Sequence, residues 1–227
     1  MGNKGNNRHV KSLAAPKYAA VHRKELVYMM KPAAGRHTLQ SSISLLAFTR
    51  KAGIATTGRE AMSTIKKKGI LVNGRHVSKP KYPIGLNDVV EVVPAKSFYK
   101  IGIDERGHVS LDKLDGRSHD ERLCKIVQKY KGRKGALMMR LHDGTVMKAA
   151  QGAGVNDSVV LDGSNSVKRV VKLKDGGRCT VVAGVHTGSS GTIKQVKEGT
   201  SNVRSSLTIE QDGKEFDTLV RNVMAVE

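Results

Sequence analysis

Tryptophan is absent from this 227-residue chain, and aromatic side chains make up only 4% of it. Phe48, Phe98, Phe216 and the five tyrosines do not cluster, so the stacking platforms that read single-stranded nucleic acid are not expected. Cysteine is nearly missing too. Cys124 and Cys179 stand 55 residues apart with no CxxC pair. That argues against a disulfide framework and against a Cys-based zinc site, and it fits a reducing compartment. Proline is scarce, five residues against 24 glycines, so many turns are expected rather than a Pro-rich linker. No apolar run approaches the ~18–20 residues of a membrane helix. The first residues lack the apolar stretch of a secretory signal. Pro16 and Pro32 interrupt the long amphipathic helix of a mitochondrial transit peptide.

Acidic residues are also in short supply. The chain has 20 Asp and Glu against 40 Lys and Arg, a formal net charge of +20. The excess falls along the chain: +7 over residues 1–36, where Glu25 is the only acid, +8 over 37–100, +5 over 101–173 and zero over 174–227. Self-repulsion on this scale destabilises a compact state unless a polyanion neutralises it. Nucleic acid is that polyanion, because each phosphate neutralised releases a condensed counterion. A membrane surface would call for a basic amphipathic helix with Trp, Phe or Leu on one face, which this composition does not supply. With so few aromatics, binding through phosphates and shape to folded, double-helical RNA is expected.

Residues 1–36 alternate cations with Gly, Asn, Ala and Pro, the pattern of an extended arm that orders on nucleic acid. Residues 38–100 read as a compact α/β unit. Ser41 or Ser42 can cap a helix through Ile43, Leu45, Leu46 and Thr49 that ends near Gly53. Thr57-x-x-Glu60 is a capping box opening a second helix through Ala61, Met62 and Ile65. Lys66, Lys67 and Lys68 then sit where the helix dipole favours cations, with Gly69 as the residue just past the end. A strand Ile70–Val72, the turn Asn73-Gly74, a return strand near His76 and Val77, and a strand through Val89, Val90, Val92 and Val93 follow, with Pro80 and Pro83 in the loop between. Beyond residue 98, Asp115-Gly116, Asp143-Gly144, Asp162-Gly163, Asp175-Gly176 and Asp212-Gly213 separate apolar runs, as in hairpins and small β-barrels. Residues 118–130 are ambiguous. Ser118-x-x-Glu121 with Leu123, Ile126, Val127 and Tyr130 has helical spacing, yet Leu123–Tyr130 equally suits a strand pairing with Leu137–Leu141. A short helical turn followed by a strand is expected here.

Three stretches together resemble the e-type family of small-subunit ribosomal protein four, found in archaea and eukaryotes. HVKSLAAPK at 9–17 is similar to that family's basic N-terminal signature. SISLLAFTRKAGIATTGREAMSTIKKKGILVNGRHV at 42–77, continued by YPIGLNDVVEV at 82–92, resembles the S-four RNA-binding domain. GGRCTVVAGVHTGSSGTIKQV at 176–196 resembles a KOW motif, with Gly184, Gly188 and Gly191 at the expected glycines. The chain stops at VRNVMAVE without the long basic tail of eukaryotic members, a length that suits an archaeal-type protein.

The resemblance implies a β-rich, multidomain α+β chain. A basic N-terminal extension (1–37), an S-four RNA-binding domain (38–100), a central β domain (101–173) and a C-terminal SH3-like KOW barrel (174–227) are expected. It implies a structural rRNA-binding protein of the small ribosomal subunit, located in the cytoplasm on the ribosome. Its partners would be small-subunit rRNA and neighbouring ribosomal proteins, with no membrane, no small-molecule substrate and no homo-oligomer. The RNA-binding candidates are Lys4, Arg8, His9, Lys11, Lys17, Arg23 and Lys24 in the arm, then Arg36, His37, Arg50, Lys51, Arg59, Lys66 and Lys67, with Arg75 and Lys79 around the turn at Gly74. For Lys66–Lys68, compensation of the helix dipole is the plainer role, and it is compatible with RNA contact.

Catalytic motifs are missing: no GxxxxGK[ST], no GxGxxG after a strand, no HExxH and no GxSxG. The eight histidines have no ligand spacing, Asp104-Glu105 and Asp120-Glu121 lie beside turn or cap signals, and Cys179 sits in an apolar run that reads as a buried strand. Neither a metal nor a cofactor is expected, nor an enzyme. An rRNA-modifying enzyme with an S-four domain would need a catalytic domain of ~150 residues or more, larger than either C-terminal segment. A translation or transcription factor using a KOW adaptor is the other alternative.

Overall fold

The computed structural model describes residues 8–22, 24, 26–114, 121–132, 135–200 and 203–226. The chain divides into two compact units, one formed by residues up to Gly102 together with His108–Arg122, the other by Ile103–Gly107 and the chain from Leu123 onward. Strands dominate both units and helices are few.

In the first unit, strands β1 (Val10–Lys11) and β2 (Tyr28–Met29) pair antiparallel. Strand β3 (Ser42–Ser44) leads into helices α1 (Leu45–Lys51) and α2 (Gly58–Lys66). Then come β4 (Ile70–Val72), β5 (Arg75–His76), β6 (Pro83–Gly85), β7 (Val89–Val92), β8 (Ser97–Ile103) and β9 (Val109–Leu114). Five of them form a sheet in the order β5-β4-β7-β8-β9, while β3 pairs with β6. The core holds Leu45 and Phe48 of α1, Ala61 and Ile65 of α2, and Ile70, Val90 and Ile101 of the sheet.

Local signals place these elements, with shifts. Ser44, not Ser41 or Ser42, caps α1, its Oγ accepting from the Ala47 N–H. Residues 42–44 are taken up by pairing with Pro83–Gly85, so the helix starts later, and Pro83 belongs to a strand rather than to the loop. Thr57 caps α2 as its sequence predicts, accepting from the Glu60 N–H at 3.2 Å, while the Glu60 carboxylate reaches back to the N–H and hydroxyl of Thr56. The left-handed residue after α2 is Lys68 (φ 57), not Gly69. The Lys68 N–H donates to the Ile65 carbonyl and the Gly69 N–H to the Thr64 carbonyl, which closes the helix end. Gly69 serves close packing instead, since a Cβ there would stand 3.1 Å from the Thr64 carbonyl oxygen.

The N-terminal segment is not the extended arm its composition predicts. Pro16, Tyr18, Ala19 and Met29 are buried, and the turn Lys17–Ala19 lies against β3. The apolar residues interspersed among its cations give it a face to bury, and burying them outweighs the self-repulsion of the segment.

In the second unit, β10 (Arg122–Lys131), β11 (Leu137–Leu141), β12 (Val146–Lys148), β13 (Ser158–Leu161) and β14 (Val167–Val171) form a sheet ordered β12-β11-β10-β13-β14. Residues 122–130 are strand, and the Ser118 of the expected cap lies outside the described residues. The pairing of β10 with β11 shifts register between Ile126 and Gln128. Such a bulge breaks the alternation of a strand, so Leu123, Ile126, Val127 and Tyr130 imitate helical spacing. Strands β15 (Arg178–Val181), β16 (Ser190–Lys197), β17 (Ser206–Gln211), β18 (Lys214–Leu219) and β19 (Val223–Val226) form another sheet, ordered β18-β17-β16-β15-β19. Each sheet has its own core, Cys124, Ile126, Met139, Leu141, Val159 and Leu161 in one, Cys179, Val181, Ile193, Leu207, Ile209 and Val223 in the other. Asp143-Gly144 and Asp212-Gly213 close the β11–β12 and β17–β18 hairpins and Asp162-Gly163 opens the β13–β14 loop, whereas Asp175-Gly176 links β14 to β15. Asp115-Gly116 lies outside the described residues.

Candidate functional site

The cations of the first unit are set on helix ends, strand edges and turns. Arg50 and Lys51 occupy the last turn of α1, where the helix dipole favours cations. Arg59 and Lys66 stand two turns apart on α2, on the side opposite the buried Ala61 and Ile65. Lys67 caps that helix and Lys68 follows it. Arg75 lies in β5, directly after the turn formed by Asn73 (φ 49) and Gly74 (φ 74), and Lys79 follows in the connection to β6. Arg8, His9, Lys11, Lys17 and Lys24 are exposed along the N-terminal segment, and the His9 ring lies 5.7 Å from that of Tyr28. Lys4 and Arg23 lie outside the described residues.

Lys51 and His37 are engaged within the protein. The Lys51 ammonium donates to the Val109 carbonyl at 2.7 Å, which ties α1 to β9 while the side chain remains exposed. His37 does not belong to an RNA-facing surface: it is buried, with Nε2 2.8 Å from Oδ2 of Asp88. Asp88 also accepts from the Gly85 N–H and from Asn73 Nδ2, and Asn73 Oδ1 in turn accepts from the Val89 N–H. Burial alone would raise the Asp88 carboxyl, but the His37 charge and these hydrogen bonds outweigh it and hold the pKa below the ordinary range. The sequence places His37 beside Arg36 in a basic run. Its partner is 51 positions away, so nothing local distinguishes it from an exposed histidine.

The turn glycines differ in what they do. Gly184 (φ 107) and Gly188 (φ 90) take left-handed backbone, whereas Gly191 is required because a Cβ there would collide with the Glu210 carbonyl oxygen. Cys179 is buried in β15 and its thiol is pushed up to about 11 by burial. Among the described residues no group of three His, Cys, Asp or Glu side chains could hold a metal ion. Nor, among them, is any helix long and apolar enough to cross a membrane.

The second unit contains cations that composition by segment conceals. Strands β10 to β14 carry eight, Arg122, Lys125, Lys129, Lys131, Arg140, Lys148, Lys168 and Arg169, and no Asp or Glu. The acids that lower the charge of residues 101–173 lie in the connections and in β9. One signal was available in the sequence: from Arg122 to His142 there are seven cations and not one acid. The neighbouring sheet is the opposite case. Lys194 Nζ lies 2.5 Å from Glu215 and 3.5 Å from Glu210, and Lys197 Nζ lies 3.2 Å from Asp217, so these two cations are neutralised across strands.

Comparison with known proteins places these features. Residues 4–40 match the RS4NT (NUC023) domain, 45–90 the S4 domain and 95–166 the Ribosomal family S4e. The small ribosomal subunit protein eS4 of Natronomonas pharaonis is 32% identical over 226 residues, covering 96% of this chain and 94% of its own. That of Methanothermobacter thermautotrophicus is 31% identical over 225 residues, covering 97% and 93%. The fold is similar to the crystal structure of the 30S ribosomal protein S4e from Thermoplasma acidophilum, with a TM-score of 0.70 at 22% identity over 82% of this chain and 95% of that one. With an S4 domain behind a matching N-terminal domain, and relatives aligned over nearly their whole length, the chain belongs to the S4e family of small ribosomal subunit proteins.

Proposed function

We propose that this chain is a structural component of the small ribosomal subunit that binds folded rRNA and supports subunit assembly and translation. Its site of action is the ribosome in the cytoplasm, where it lies as a single copy between rRNA and neighbouring ribosomal proteins. The contact residues are the N-terminal cations Lys4, Arg8, His9, Lys11, Lys17, Arg23 and Lys24, with Arg36, Arg50, Lys51, Arg59, Lys66, Lys67, Arg75 and Lys79. Four functional segments follow the boundaries 1–37, 38–100, 101–173 and 174–227, the last an SH3-like KOW barrel. One observation carries this reading: exposed cations crowd the helix ends and the Asn73-Gly74 turn of a matched S4 domain, where among the described residues acids are few. RNA phosphates satisfy such a surface without base readout.

Salt dependence tests it. If on the order of ten phosphates are neutralised, binding of the full chain to small-subunit rRNA falls with a log–log slope of about −7 to −9. Changing Arg50, Lys51, Lys66 and Lys67 to Gln flattens the slope by roughly 0.7–0.9 for each phosphate that is no longer neutralised. The same change at Lys174, Lys194, Lys197 and Lys214 has a smaller effect, because Lys194 and Lys197 already face carboxylates. Binding that barely changes between low and moderate salt would overturn the proposal.

A further inference from the structure

The strands of the sheet β12-β11-β10-β13-β14 contain no Asp or Glu, and none of the RNA-binding residues proposed above lies on them. Its strands show where its faces point. After the register shift at Ile126/Gln128, Lys129 pairs with the buried Met139, which opposes Met147 on the core side. The alternate residues therefore face outward in two rows. Tyr130, Met138 and Lys148 form one, Gln128, Arg140 and Val146 the other. With strands about 4.8 Å apart, Tyr130 and Lys148 are separated by about 10 Å, and the rows by about 7 Å. Tyr130 is 38% exposed and Val146 44%, while Arg140 and Lys148 are exposed and form no ion pair among the described residues.

The outer face is covered at one end only. Lys125, on the same side of β10 before the bulge, is buried, and its ammonium donates to the Val220 and Val223 carbonyls beside β19. Past the bulge no such cover lies over Tyr130, Met138 and Arg140 among the described residues. What remains is an exposed strip with one amphipathic ring, a thioether beside it, and two cations on the β11–β12 side of the ring, neither in an ion pair among the described residues.

We propose that the outer face of β10–β12 is a second RNA-contact surface, which takes an unpaired base on the Tyr130 ring and the adjoining backbone phosphates on Arg140 and Lys148. Charge selects this occupant. A protein neighbour docking on the apolar residues would leave two cations to be matched by its own acids, whereas a nucleotide presents a π-face and phosphates together. The surface differs in kind from the helix-end cations of the first unit, which meet phosphates alone. It rests on the rRNA-binding reading above and adds a stacking interaction to it.

The test uses the full chain, small-subunit rRNA as the probe, and two readouts. Tyr130→Ala is expected to weaken binding about tenfold with the salt slope unchanged, since stacking is sequence-tolerant and uncharged. Tyr130→Phe is expected to retain wild-type affinity. Arg140→Gln with Lys148→Gln is expected to flatten the slope by roughly 1.4–1.8. Equal melting curves establish that each variant is folded, and ultraviolet cross-linking of the wild-type complex provides the measurement independent of folding, with an RNA adduct on the peptide containing Tyr130. If wild type binds and the Arg50/Lys51/Lys66/Lys67 variant weakens it, but Tyr130→Ala and the Arg140/Lys148 double variant bind as wild type, this proposal is overturned while the rRNA-binding reading stands. A cross-link from Lys148 to a neighbouring protein, with RNA adducts only elsewhere, also overturns it. Wild-type binding without salt dependence sinks both.

Discussion

His37 and Asp88, 51 residues apart in sequence, meet in the core of the first unit with Nε2 and Oδ2 at 2.8 Å and both side chains almost wholly excluded from solvent. The pair joins the connection before β3 to the turn before β7, and Asn73 extends it to the β4–β5 turn. A residue expected on the basic surface is thereby part of the internal support of that surface.

Asp88→Ala removes the acceptor for His37, the Gly85 N–H and Asn73, leaving buried donors unpaired. A loss on the order of 3 kcal/mol is expected in chemical denaturation. The carboxyl is held below its ordinary value, so its stabilisation is complete above the unfolded value near 3.8 and is lost as pH falls through the lower, folded one. Wild type should therefore show a steeper acid limb below about pH 4 than Asp88→Ala, and identical acid limbs would remove Asp88 from the account.

Lys125 predicts a second effect of the same sign, stability rising with pH, in the alkaline range. Burial lowers its pKa from 10.5 to about 8. The native state carries the cost of a buried charge below about pH 8 and is relieved of it as pH rises towards 10.5. The neutral amine keeps two N–H donors, enough for the Val220 and Val223 carbonyls. Relative to Lys125→Met, wild type should gain thermal stability between pH 8 and 10, and parallel pH profiles would contradict this.

Gly188→Val should disrupt the sheet β15–β19. The position has φ 90, and a Cβ there would lie 2.5 Å from the Asp104 carbonyl oxygen and from the Glu105 Cα, backbone atoms with no rotamer to yield. Loss of cooperative melting for the second unit is the expected result, and an unchanged melting curve would refute the assigned backbone.

Deleting residues 1–36 should destabilise the first unit as well as weaken RNA binding. Tyr18 and Met29 are buried, and the Tyr18 hydroxyl, its pKa raised by burial and then by the Asp88 charge, has no hydrogen-bond partner among the described residues. Tyr18→Ala should cost about 3–5 kcal/mol, as for a large aromatic side chain removed from a core. A truncated chain with wild-type stability would restore the view of the segment as a detachable arm.

The sequence by itself determined what depends on neighbours along the chain. Thr57-x-x-Glu60 capped its helix, Asn73-Gly74 turned its hairpin and the apolar run at Cys179 became a buried strand, because each signal acts over four residues or fewer. The net charge of +20 indicated the class of partner for the same reason, since it is a sum that needs no geometry. Tertiary structure decided whatever depended on distant pairing. Strand β3 claimed residues 42–44 and moved the cap to Ser44, Asp88 drew His37 inside, and the core drew in Tyr18. Averaged over residues 101–173, the charge is a modest +5. Strand pairing sorts it by gathering cations from four separate strands into one sheet and leaving the acids to the connections and β9. No window along the chain spans that sheet, because its order is set by hydrogen bonds between segments and not by their succession.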